Sequence, residues 1–433
     1  MRAAIFYRPG IMVVEQKYFE SKIDRPEQYS TQQASDSSLH LPEKEIKSVE
    51  KGVLLKVNAC AVCGYDVRVF RCGHQKVKPP IILGHEICGR VQSDIIMPSS
   101  NSDGDFAIGI GKGAQLAKAR KKIVRPISAN KSTTTIRSGS RVAVCPIIPC
   151  LNCMYCSYGK FNLCNNLREI GSTINGGFAE FVKIPEQVIR VGGLVPVPDS
   201  LSDEQVSLLE PLACCINGIY HTGLRPSMGK QSRIAIIGDG PIGLLHLQLM
   251  KKFEERAQIM VIGRKEGRTR KAKDLGADAT TLFYNDMEFQ DPLKNSMDFT
   301  DKVGFNLIVV ATSNPVALDL ALRISSKNAT INIFAGMQKI QDTHNDDRNQ
   351  EKKSHPNNAL PVIDPNFLHY NQISITGSFS STPSMLRQAV SLASRKEIDL
   401  SSVISHKFSL QNIHEAIRVT EDYEGLRAII NKF

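Results

Sequence analysis

Four cysteines near the middle of the chain restrict its possible folds more than any other feature. They are spaced C-x2-C-x2-C-x7-C and lie in one short stretch: Cys150, Cys153, Cys156 and Cys164. Thiolates this close in sequence can all reach one tetrahedral ion, and a closed set of four cysteines is typical of a structural zinc site. The spacing therefore predicts a zinc-binding lobe at these residues.

The length and composition are those of a globular protein with more than one domain. Of its residues 42% are hydrophobic and 22% charged, as in ordinary globular proteins. At 433 residues the chain is too long for one compact core, so two domains are expected. We find no apolar run of transmembrane length, and Arg8-Pro9-Gly10 interrupts the beginning of the chain before a signal-peptide core can form. We therefore expect a cytoplasmic protein that does not bind membranes. Eleven cysteines, an odd number, favour metal ligands and buried thiols over disulfides.

The pattern of apolar residues divides the chain into a β-rich part and an α/β part. The first 200 residues or so contain short β segments, for example at 52–57, 141–144 and 178–182. From about residue 231, apolar strands alternate with helical stretches, and the strand candidates are 234–237, 259–262, 306–310, 331–334 and 373–376. That alternation predicts an α/β fold with a parallel, doubly wound sheet. After about residue 382 a helix, a strand and a helix from near Leu410 are expected.

Three polar stretches look like insertions. They cover about 18–45, 99–138 and 341–360, and each is rich in Ser, Asn, Asp, Lys or Gln without an apolar period. Such composition is typical of long surface loops or disordered segments. We therefore predict that each of the three is a long surface loop or partly disordered.

A strand, a glycine-rich turn and a helix follow one another in the α/β part. The turn has the spacing G-x-G-x-x-G and reads Gly238-Asp239-Gly240-Pro241-Ile242-Gly243. The first glycine permits a tight turn, the second lets the backbone approach a pyrophosphate, and the third permits close helix–strand packing. With a strand before it and a helix after it, this turn predicts a dinucleotide site.

The end of the second predicted strand indicates which dinucleotide binds. An acidic residue there binds the ribose of NAD, but this chain has Gly263-Arg264-Lys265, followed by Arg268. A small residue followed by arginines accommodates a 2′-phosphate. We therefore expect NADP(H) to be the preferred cofactor, with Arg264 and Arg268 binding its 2′-phosphate. In the alternative, these cations lie on a solvated helix and NAD(H) still binds.

A second group of metal ligands precedes the cysteine lobe. Cys63, His85 and Glu86 can hold a zinc ion, and Glu210 is a further candidate for its third ligand. A catalytic zinc takes three protein ligands and leaves a fourth position for water or substrate. Spacing alone leaves open whether the third ligand is Glu86 or Glu210.

Several motifs occur in the order of one enzyme family. Cys63-Gly64-x-Asp66, Gly84-His85-Glu86, the cysteine lobe, Glu210-Pro211-Leu212 and the glycine turn follow one another along the chain. In this order they resemble the zinc-dependent medium-chain dehydrogenase/reductase family, in its polyol (sorbitol) and threonine dehydrogenase branch. The resemblance covers nearly the whole chain apart from the insertions. It implies a GroES-like catalytic domain at 1–200, a Rossmann domain at 201–380 and a C-terminal return to the first domain at 381–433.

The resemblance also implies roles for the ligands. Cys63 and His85 would bind the catalytic zinc, and Glu86 would be a direct or exchanging ligand. Glu210 would be the carboxylate of this branch at the position where many alcohol dehydrogenases have a cysteine. The cysteine lobe would hold a second, structural zinc near the subunit interface of a homodimer or homotetramer.

Tyr65 departs from the family pattern. The family usually has Ser or Thr at this position, where the hydroxyl passes the substrate proton toward solvent, and this chain has a tyrosine. The tyrosine hydroxyl could do the same work. In the alternative, the proton leaves through zinc-bound water and Glu86. The larger ring also reshapes the pocket, and no residue identifies the particular alcohol.

These features predict a zinc-dependent oxidoreductase that transfers a hydride between NADP, or NAD, and a secondary alcohol, diol or polyol. The ketone or aldehyde would form through a zinc-bound alkoxide. One alternative is a zinc-free NADP-dependent quinone or enoyl reductase on the same fold, which would not need the cysteine and histidine ligands. Another is a zinc-bearing module that binds nucleic acid or a partner, given the net charge of +11. The chain lacks separated C-x2-C pairs and a basic stripe interleaved with aromatics, so no nucleic-acid partner is expected.

Overall fold

The computed structural model describes residues 1–16, 52–98, 133–223, 232–283, 290–337 and 363–433. The predicted insertions at 18–45 and 341–360 lie outside the described residues, as does most of the one at 99–138. The last part of that middle stretch is not the surface loop that its composition predicts, because Thr133–Ile136 is a strand paired antiparallel with Ile95–Pro98. Its residues are all β-branched, which favours the extended conformation over the loop.

The β-rich part ends with two helices. In chain order its elements are β1 Arg2–Arg8, β2 Ile11–Gln16, β3 Gly52–Ala61, α1 Gly64–Cys72, β4 Ile81–Ile82, β5 Glu86–Val91, β6 Ile95–Pro98, β7 Thr133–Ile136, β8 Arg141–Val144, β9 Ile147–Ile148, α2 Met154–Ser157, β10 Arg168–Glu169, β11 Phe181–Pro185, α3 Glu186–Arg190, β12 Leu194–Pro196, α4 Asp203–Ser207 and α5 Leu209–Thr222.

The α/β part follows, and the chain then adds a short C-terminal segment. In chain order the elements are β13 Arg233–Ile237, α6 Pro241–Phe253, β14 Gln258–Gly263, α7 Glu266–Asp274, β15 Ala279–Leu282, α8 Gln290–Phe299, β16 Phe305–Val310, α9 Val316–Arg323, β17 Ser325–Ile333, α10 Pro365–Asn371, β18 Ser374–Gly377, α11 Pro383–Ser394, β19 Ile404–Ser409, α12 Ile413–Glu421 and β20 Arg427–Lys432.

The largest sheet of the β-rich part contains seven strands. Six of them have the order β12-β8-β5-β3-β20-β19, and β11 also pairs with β3. Most neighbours are antiparallel, and one face of such a sheet can pack on a core while the other meets solvent. The expected β-rich domain is therefore confirmed.

The second sheet is parallel throughout. Its order is β15-β14-β13-β16-β17-β18, and each neighbouring pair is parallel. The chain starts in the middle of the sheet at β13 and later crosses to its other side, which is the doubly wound Rossmann arrangement. Each predicted strand of this part overlaps an observed one. The sequence pattern does not predict β15, because Ala-Thr-Thr-Leu is short and only weakly apolar.

The C-terminal segment returns to the first sheet. The predicted helix, strand and helix are present as α11, β19 and α12, and a further strand, β20, follows them. β20 pairs antiparallel with β3, where Ile429 lies opposite Ala61 and Ile430 opposite Cys60. This pairing places the first residue of β20, Arg427, against Val62 and Glu86.

One hydrophobic cluster joins the two parts. It contains Ala59 and Ile429 of the first sheet, Leu212 of α5 and Ile236 of β13. Burying an aliphatic side chain of this kind stabilises the fold by roughly 1.5–3 kcal/mol, so a shared core fixes the two sheets relative to each other. Among the described helices, none combines the length and apolar character needed to cross a membrane.

Candidate functional site

Cys63, His85 and Glu86 converge on one point in the β-rich part. Their possible ligand atoms all lie within 4.8 Å of one another. Cys63 precedes the first turn of α1, and Glu86 begins β5 directly opposite Ala61 of β3. The pairing of β3 with β5 therefore brings Cys63 close to the adjacent residues His85 and Glu86, which lie more than 20 positions further along the chain. Glu210 is not part of this group.

Asp66 holds two of these ligands in place. Its carboxylate is fully buried, and Oδ2 accepts a hydrogen bond from the backbone N–H of Cys63 at 2.9 Å. Oδ1 accepts one from the backbone N–H of Gly84 at 3.3 Å and lies 3.6 Å from Nδ1 of His85. Burial lowers the pKa of His85, but Asp66 and Cys63 outweigh it and raise that pKa well above its usual value. The contact at Nδ1 leaves Nε2 as the ring nitrogen available to a metal.

The glycine before His85 is required by its surroundings. Gly84 has φ +90°, a backbone conformation that residues with a side chain rarely adopt. A Cβ at this position would lie 2.8 Å from Sγ of Cys60 and 2.9 Å from Cδ1 of Phe178. The Gly-His-Glu motif is therefore explained by a backbone that passes too close to its neighbours for any larger residue.

Glu86 pairs with an arginine from the far end of the chain. Its Oε1 lies 3.0 Å from Nη2 of Arg427, and both side chains are almost completely buried. Within the described residues, its Oε2 has no hydrogen-bond partner. Burial raises the pKa of Glu86 to about 7, although Arg427 and His85 act in the opposite direction. A buried carboxylate oxygen without a partner is costly, and a bound cation would satisfy it.

The three ligands fit zinc. A thiol, an imidazole and a carboxylate are donors that suit this borderline-soft ion. Three protein ligands leave a coordination position open, which distinguishes catalytic zinc sites from the closed structural ones. The unsatisfied Oε2 of Glu86 agrees with this interpretation.

Glu210 lies near this group but has another partner. It is the second residue of α5, is buried, and accepts a hydrogen bond from Sγ of Cys214 at 3.2 Å. Burial raises its pKa, while His85 and Cys214 lower it. Glu210 is thus electrostatically coupled to His85, but its ligand atoms are not among those that converge within 4.8 Å.

Tyr65 lies beside the same group. Its ring contacts the ring of His85 edge to face, with centroids 5.8 Å apart. Its hydroxyl shares a hydrogen bond of 2.7 Å with Oγ of Ser172, which is itself buried. Burial raises the pKa of Tyr65, although the Ser172 hydrogen bond acts in the opposite direction. The arrangement connects the neighbourhood of His85 to a second hydroxyl.

The four cysteines of the lobe also converge. The Sγ–Sγ distances are 3.5 Å for Cys153–Cys156, 3.9 Å for Cys153–Cys164 and 4.0 Å for Cys150–Cys156. Four sulfurs at about 2.3 Å from a central zinc would stand roughly 3.8 Å apart, so the spacing fits a tetrahedral ion. The backbone N–H groups of Asn165 and Cys156 lower the pKa of Cys153 to about 6, which favours the thiolate that binds metal.

The glycine turn joins β13 to α6 at the carboxyl end of the parallel sheet. Gly238 has φ +127°, and a Cβ on Gly243 would lie 1.8 Å from the carbonyl oxygen of Gly238. Gly240 precedes the helix, and a Cβ there would meet nothing closer than Nη1 of Arg268 at 3.9 Å. The first and third glycines are thus required by packing, whereas the second faces open space, and Pro241 and Ile242 begin the helix. The open space at Gly240 would let a pyrophosphate approach the backbone at the N-terminus of α6.

The two predicted phosphate-binding arginines have different surroundings. Arg264 is exposed just after β14. Arg268 is buried, its Nε donates a hydrogen bond of 2.7 Å to the carbonyl oxygen of Gly425, and its guanidinium lies over the ring of Tyr423. Arg268 therefore connects α7 to the C-terminal segment while its Nη1 stays near Gly240.

Sequence reasoning missed three side chains near the first ligand group. Ser172 follows a glycine in a loop and has no motif around it, and Asp66 appears only as part of the Cys63 motif. Arg427 begins the run Arg-Ala-Ile-Ile, in which a charged residue stands at the edge of an apolar strand. A cation at the beginning of an otherwise buried strand is the one signal that could have identified Arg427.

Two sequence families match the chain. Residues 49–102 and 124–199 match the alcohol dehydrogenase GroES-like domain, and residues 241–395 match the zinc-binding dehydrogenase family. The first match contains Cys63, His85, Glu86 and the cysteine lobe, and the second begins at Pro241 directly after Gly240.

Named relatives agree with these matches. The sorbitol dehydrogenase of Bacillus subtilis (strain 168) is 27% identical over 381 residues, which are 87% of this chain and 88% of the relative. Among solved structures, an alcohol dehydrogenase from E. coli CFT073 complexed with NADH has a TM-score of 0.70 at 21% identity, covering 100% of this chain and 99% of that one. A proposed zinc-binding dehydrogenase from Sinorhizobium meliloti 1021 bound to NADP has a TM-score of 0.67 at 22% identity, covering 99% and 98%.

Proposed function

Because the chain belongs to the zinc-dependent medium-chain dehydrogenase family, we propose that it is an NAD(P)-dependent dehydrogenase of secondary alcohols, diols or polyols. The observation that carries this proposal is the convergence of Cys63, His85 and Glu86 within 4.8 Å. The sorbitol dehydrogenase relative supports the substrate class. The product would be the corresponding ketone or aldehyde.

The side chains of the site have distinct tasks in this reaction. When bound, zinc supplies Lewis acidity that lowers the pKa of an alcohol hydroxyl, and the nicotinamide cofactor accepts the hydride. Cys63, His85 and Glu86 would hold the metal. Asp66 fixes the orientation of His85 through the 3.6 Å contact at Nδ1, and Arg427 compensates the charge of Glu86 at 3.0 Å. Positioning of this kind lets the site stabilise developing charge without reorganising.

For the proton we propose a route through Tyr65. Its hydroxyl is 2.7 Å from Oγ of Ser172, so a proton accepted at Tyr65 can pass to a second hydroxyl. Glu86 is the alternative acceptor, but its Oε1 is paired with Arg427, and its unpartnered Oε2 would bind the metal in this proposal. Tyr65→Phe keeps the ring contact with His85 and removes only the hydroxyl. We expect it to lower kcat and alter the pH profile of kcat with little change in metal content, whereas an unchanged pH profile would favour Glu86.

We propose that NADP(H) is the preferred cofactor. β14 ends in Gly263 without an acidic side chain, and the exposed Arg264 follows it. A guanidinium suits a 2′-phosphate because it can form paired hydrogen bonds with it. Arg268 contributes positive charge nearby, while its Nε is occupied by Gly425.

We propose two zinc ions per chain, the second in the cysteine lobe, and domain boundaries at 1–200, 201–380 and 381–433. The return of β20 to β3 supports the third segment. A homodimer or homotetramer and a cytoplasmic location remain predictions, which sedimentation and cell fractionation would test.

The test of the function compares cofactor reduction in two proteins. Wild-type enzyme and Cys63→Ser would be given NADP+ or NAD+ with a panel of secondary alcohols, diols, polyols and amino alcohols. We expect turnover of at least one alcohol by the wild type and its loss in the variant. Reduction of quinones or enoyl substrates by both proteins, without alcohol turnover, would instead indicate the zinc-free reductase.

A further inference from the structure

Asp239 is the second residue of the glycine turn. Its side chain occupies the space that a side chain at Gly263, the last residue of β14, would otherwise fill. β14 ends at Gly263, and a Cβ built there would lie 2.5 Å from Cγ2 of Thr269 and 2.6 Å from both Cβ and Oδ2 of Asp239. Distances this short exclude any side chain at residue 263 while Asp239 and Thr269 keep their positions. A carboxylate is therefore present at the end of β14, although the turn after β13 supplies it.

The carboxylate of Asp239 is held in a fixed position. Its Oδ2 accepts hydrogen bonds from the backbone N–H of Arg264 at 2.7 Å and of Lys265 at 2.8 Å. The residue is only 5% exposed. Asp239 therefore occupies both of these N–H donors and places a carboxylate at this strand end.

The position of this charge matters for cofactor selection. In a doubly wound fold, the end of the second strand lies next to the adenosine ribose of a bound dinucleotide. A carboxylate there accepts hydrogen bonds from the ribose hydroxyls and repels a 2′-phosphate. Arg268, the nearby buried cation, is tied through Nε to Gly425. The two N–H groups that could otherwise bind a phosphate are already used by Asp239.

We propose that Asp239 is a specificity-determining residue for the adenosine end of the cofactor. This proposal rests on the proposed use of nicotinamide cofactors. Asp239 takes the place of the strand-end acid, opposes the 2′-phosphate of NADP(H), and keeps NAD(H) usable despite the exposed Arg264. The cofactor preference of the enzyme is thus set by two opposed groups, Asp239 and Arg264.

Asp239→Asn tests the charge with little change of shape. The amide oxygen can still accept hydrogen bonds from the N–H groups of Arg264 and Lys265, so the turn should persist. Removing one negative charge that faces the 2′-phosphate should lower the dissociation constant of NADPH, relative to that of NADH, by roughly tenfold. Both constants would be measured from the fluorescence of the bound cofactor, without any alcohol substrate.

Two further variants make the test decisive. Asp239→Ser is also neutral, so it should shift the ratio in the same direction even if the asparagine variant folds poorly. Asp278→Asn is a matched control, because Oδ2 of Asp278 accepts a hydrogen bond of 2.7 Å from the backbone N–H of Ile259, near the other end of β14. The control should leave the ratio unchanged.

The outcomes separate this proposal from the ones it rests on. A selective gain for NADPH in both Asp239 variants supports it. Equal losses for both cofactors, or no change, would overturn it and make Asp239 a purely structural residue of the turn. If wild-type enzyme binds neither cofactor, the proposed function fails as well, and a wild-type preference for NADH would refute only the proposed NADP(H) preference.

Discussion

The two groups of candidate metal ligands are built in opposite ways. The cysteine lobe takes all four of its candidate ligands from residues 150–164, a stretch that contains the short helix α2 and a 3-10 helix at Phe161–Leu163. The other group takes Cys63 from the beginning of α1 and His85 and Glu86 from the beginning of β5, and Arg427 comes from β20. The lobe depends on local chain geometry, whereas the second group exists only if β3, β5 and β20 pair in the correct register.

This difference predicts which changes each group tolerates. Loss of a lobe ligand should affect stability, because the open coordination position lies in the other group. Loss of a ligand in the other group should affect catalysis, because the sheet around it is stabilised by its own buried core. Variants that remove one candidate ligand or one supporting side chain at a time test this contrast.

The largest effect is expected for Cys63→Ser. It removes the proposed thiolate ligand of the open site, so alcohol turnover should fall by about a thousandfold or more. The melting temperature should change by only a few degrees, since the strands around Cys63 remain paired. Measuring kcat and thermal unfolding on the same preparation checks both. Cys153→Ser is the matched variant in the lobe, and it should lower the melting temperature more than it lowers kcat of the folded enzyme.

Arg427→Met tests the long-range support of the open site. The variant leaves the buried carboxylate of Glu86 without its cation and removes the hydrogen bond of 3.1 Å to the carbonyl oxygen of Val62. Breaking a buried pair of this kind typically costs about 3–5 kcal/mol of unfolding free energy, measurable by urea denaturation. Arg2→Met is the control, because Arg2 and Glu180 form a solvent-exposed pair worth about 1 kcal/mol or less. Equal costs for the two variants would contradict this account.

Asp66→Asn is expected to have a moderate effect. It removes the negative charge behind His85 but can keep a hydrogen bond to Cys63, so metal affinity or kcat should fall about 10–100-fold. Competition with a chelator would measure the affinity. Asp364→Asn, which alters the cap of α10 in the α/β part, should change neither quantity. Full metal affinity and kcat in the Asp66 variant would mean that His85 needs no carboxylate to orient it.

The sequence predicts the local features well and the long-range ones poorly. The cysteine lobe and the glycine turn are visible because their residues are adjacent in the chain. Arg427, by contrast, reaches Glu86 only through the pairing of β20 with β3, and a strand pairing between residues so far apart has no local signature. Asp239 lies inside the predicted turn, but its contacts with the end of β14 follow from the parallel sheet and not from the motif.

The smallest effect is expected at a second buried histidine, His246 of α6. Unlike His85, it has no carboxylate beside it: both ring nitrogens are buried, and no partner for them is found among the described residues. Replacing it with leucine should therefore raise the unfolding free energy by about 1–2 kcal/mol near pH 8. A destabilised leucine variant would indicate that the imidazole has a role that its surroundings do not reveal.

The gain from His246→Leu should also depend on pH. Burial lowers the pKa of His246 to about 3, below the value near 6.5 of an unfolded chain. The unfolded wild type thus binds the extra proton between these values, and its stability falls as the pH decreases through that window. The advantage of the leucine variant should be smallest above pH 6.5 and grow toward pH 3, as denaturation at several pH values would show.

Metal content per chain is the most direct test of two separately built sites. Elemental analysis would be made on the wild type, Cys63→Ser and Cys153→Ser after the same dialysis. Two zinc ions should be found in the wild type and one in each variant, with alcohol dehydrogenase activity absent only from Cys63→Ser. A single zinc ion in the wild type that persists in Cys63→Ser would contradict the account, because Cys63, His85 and Glu86 would then hold no metal.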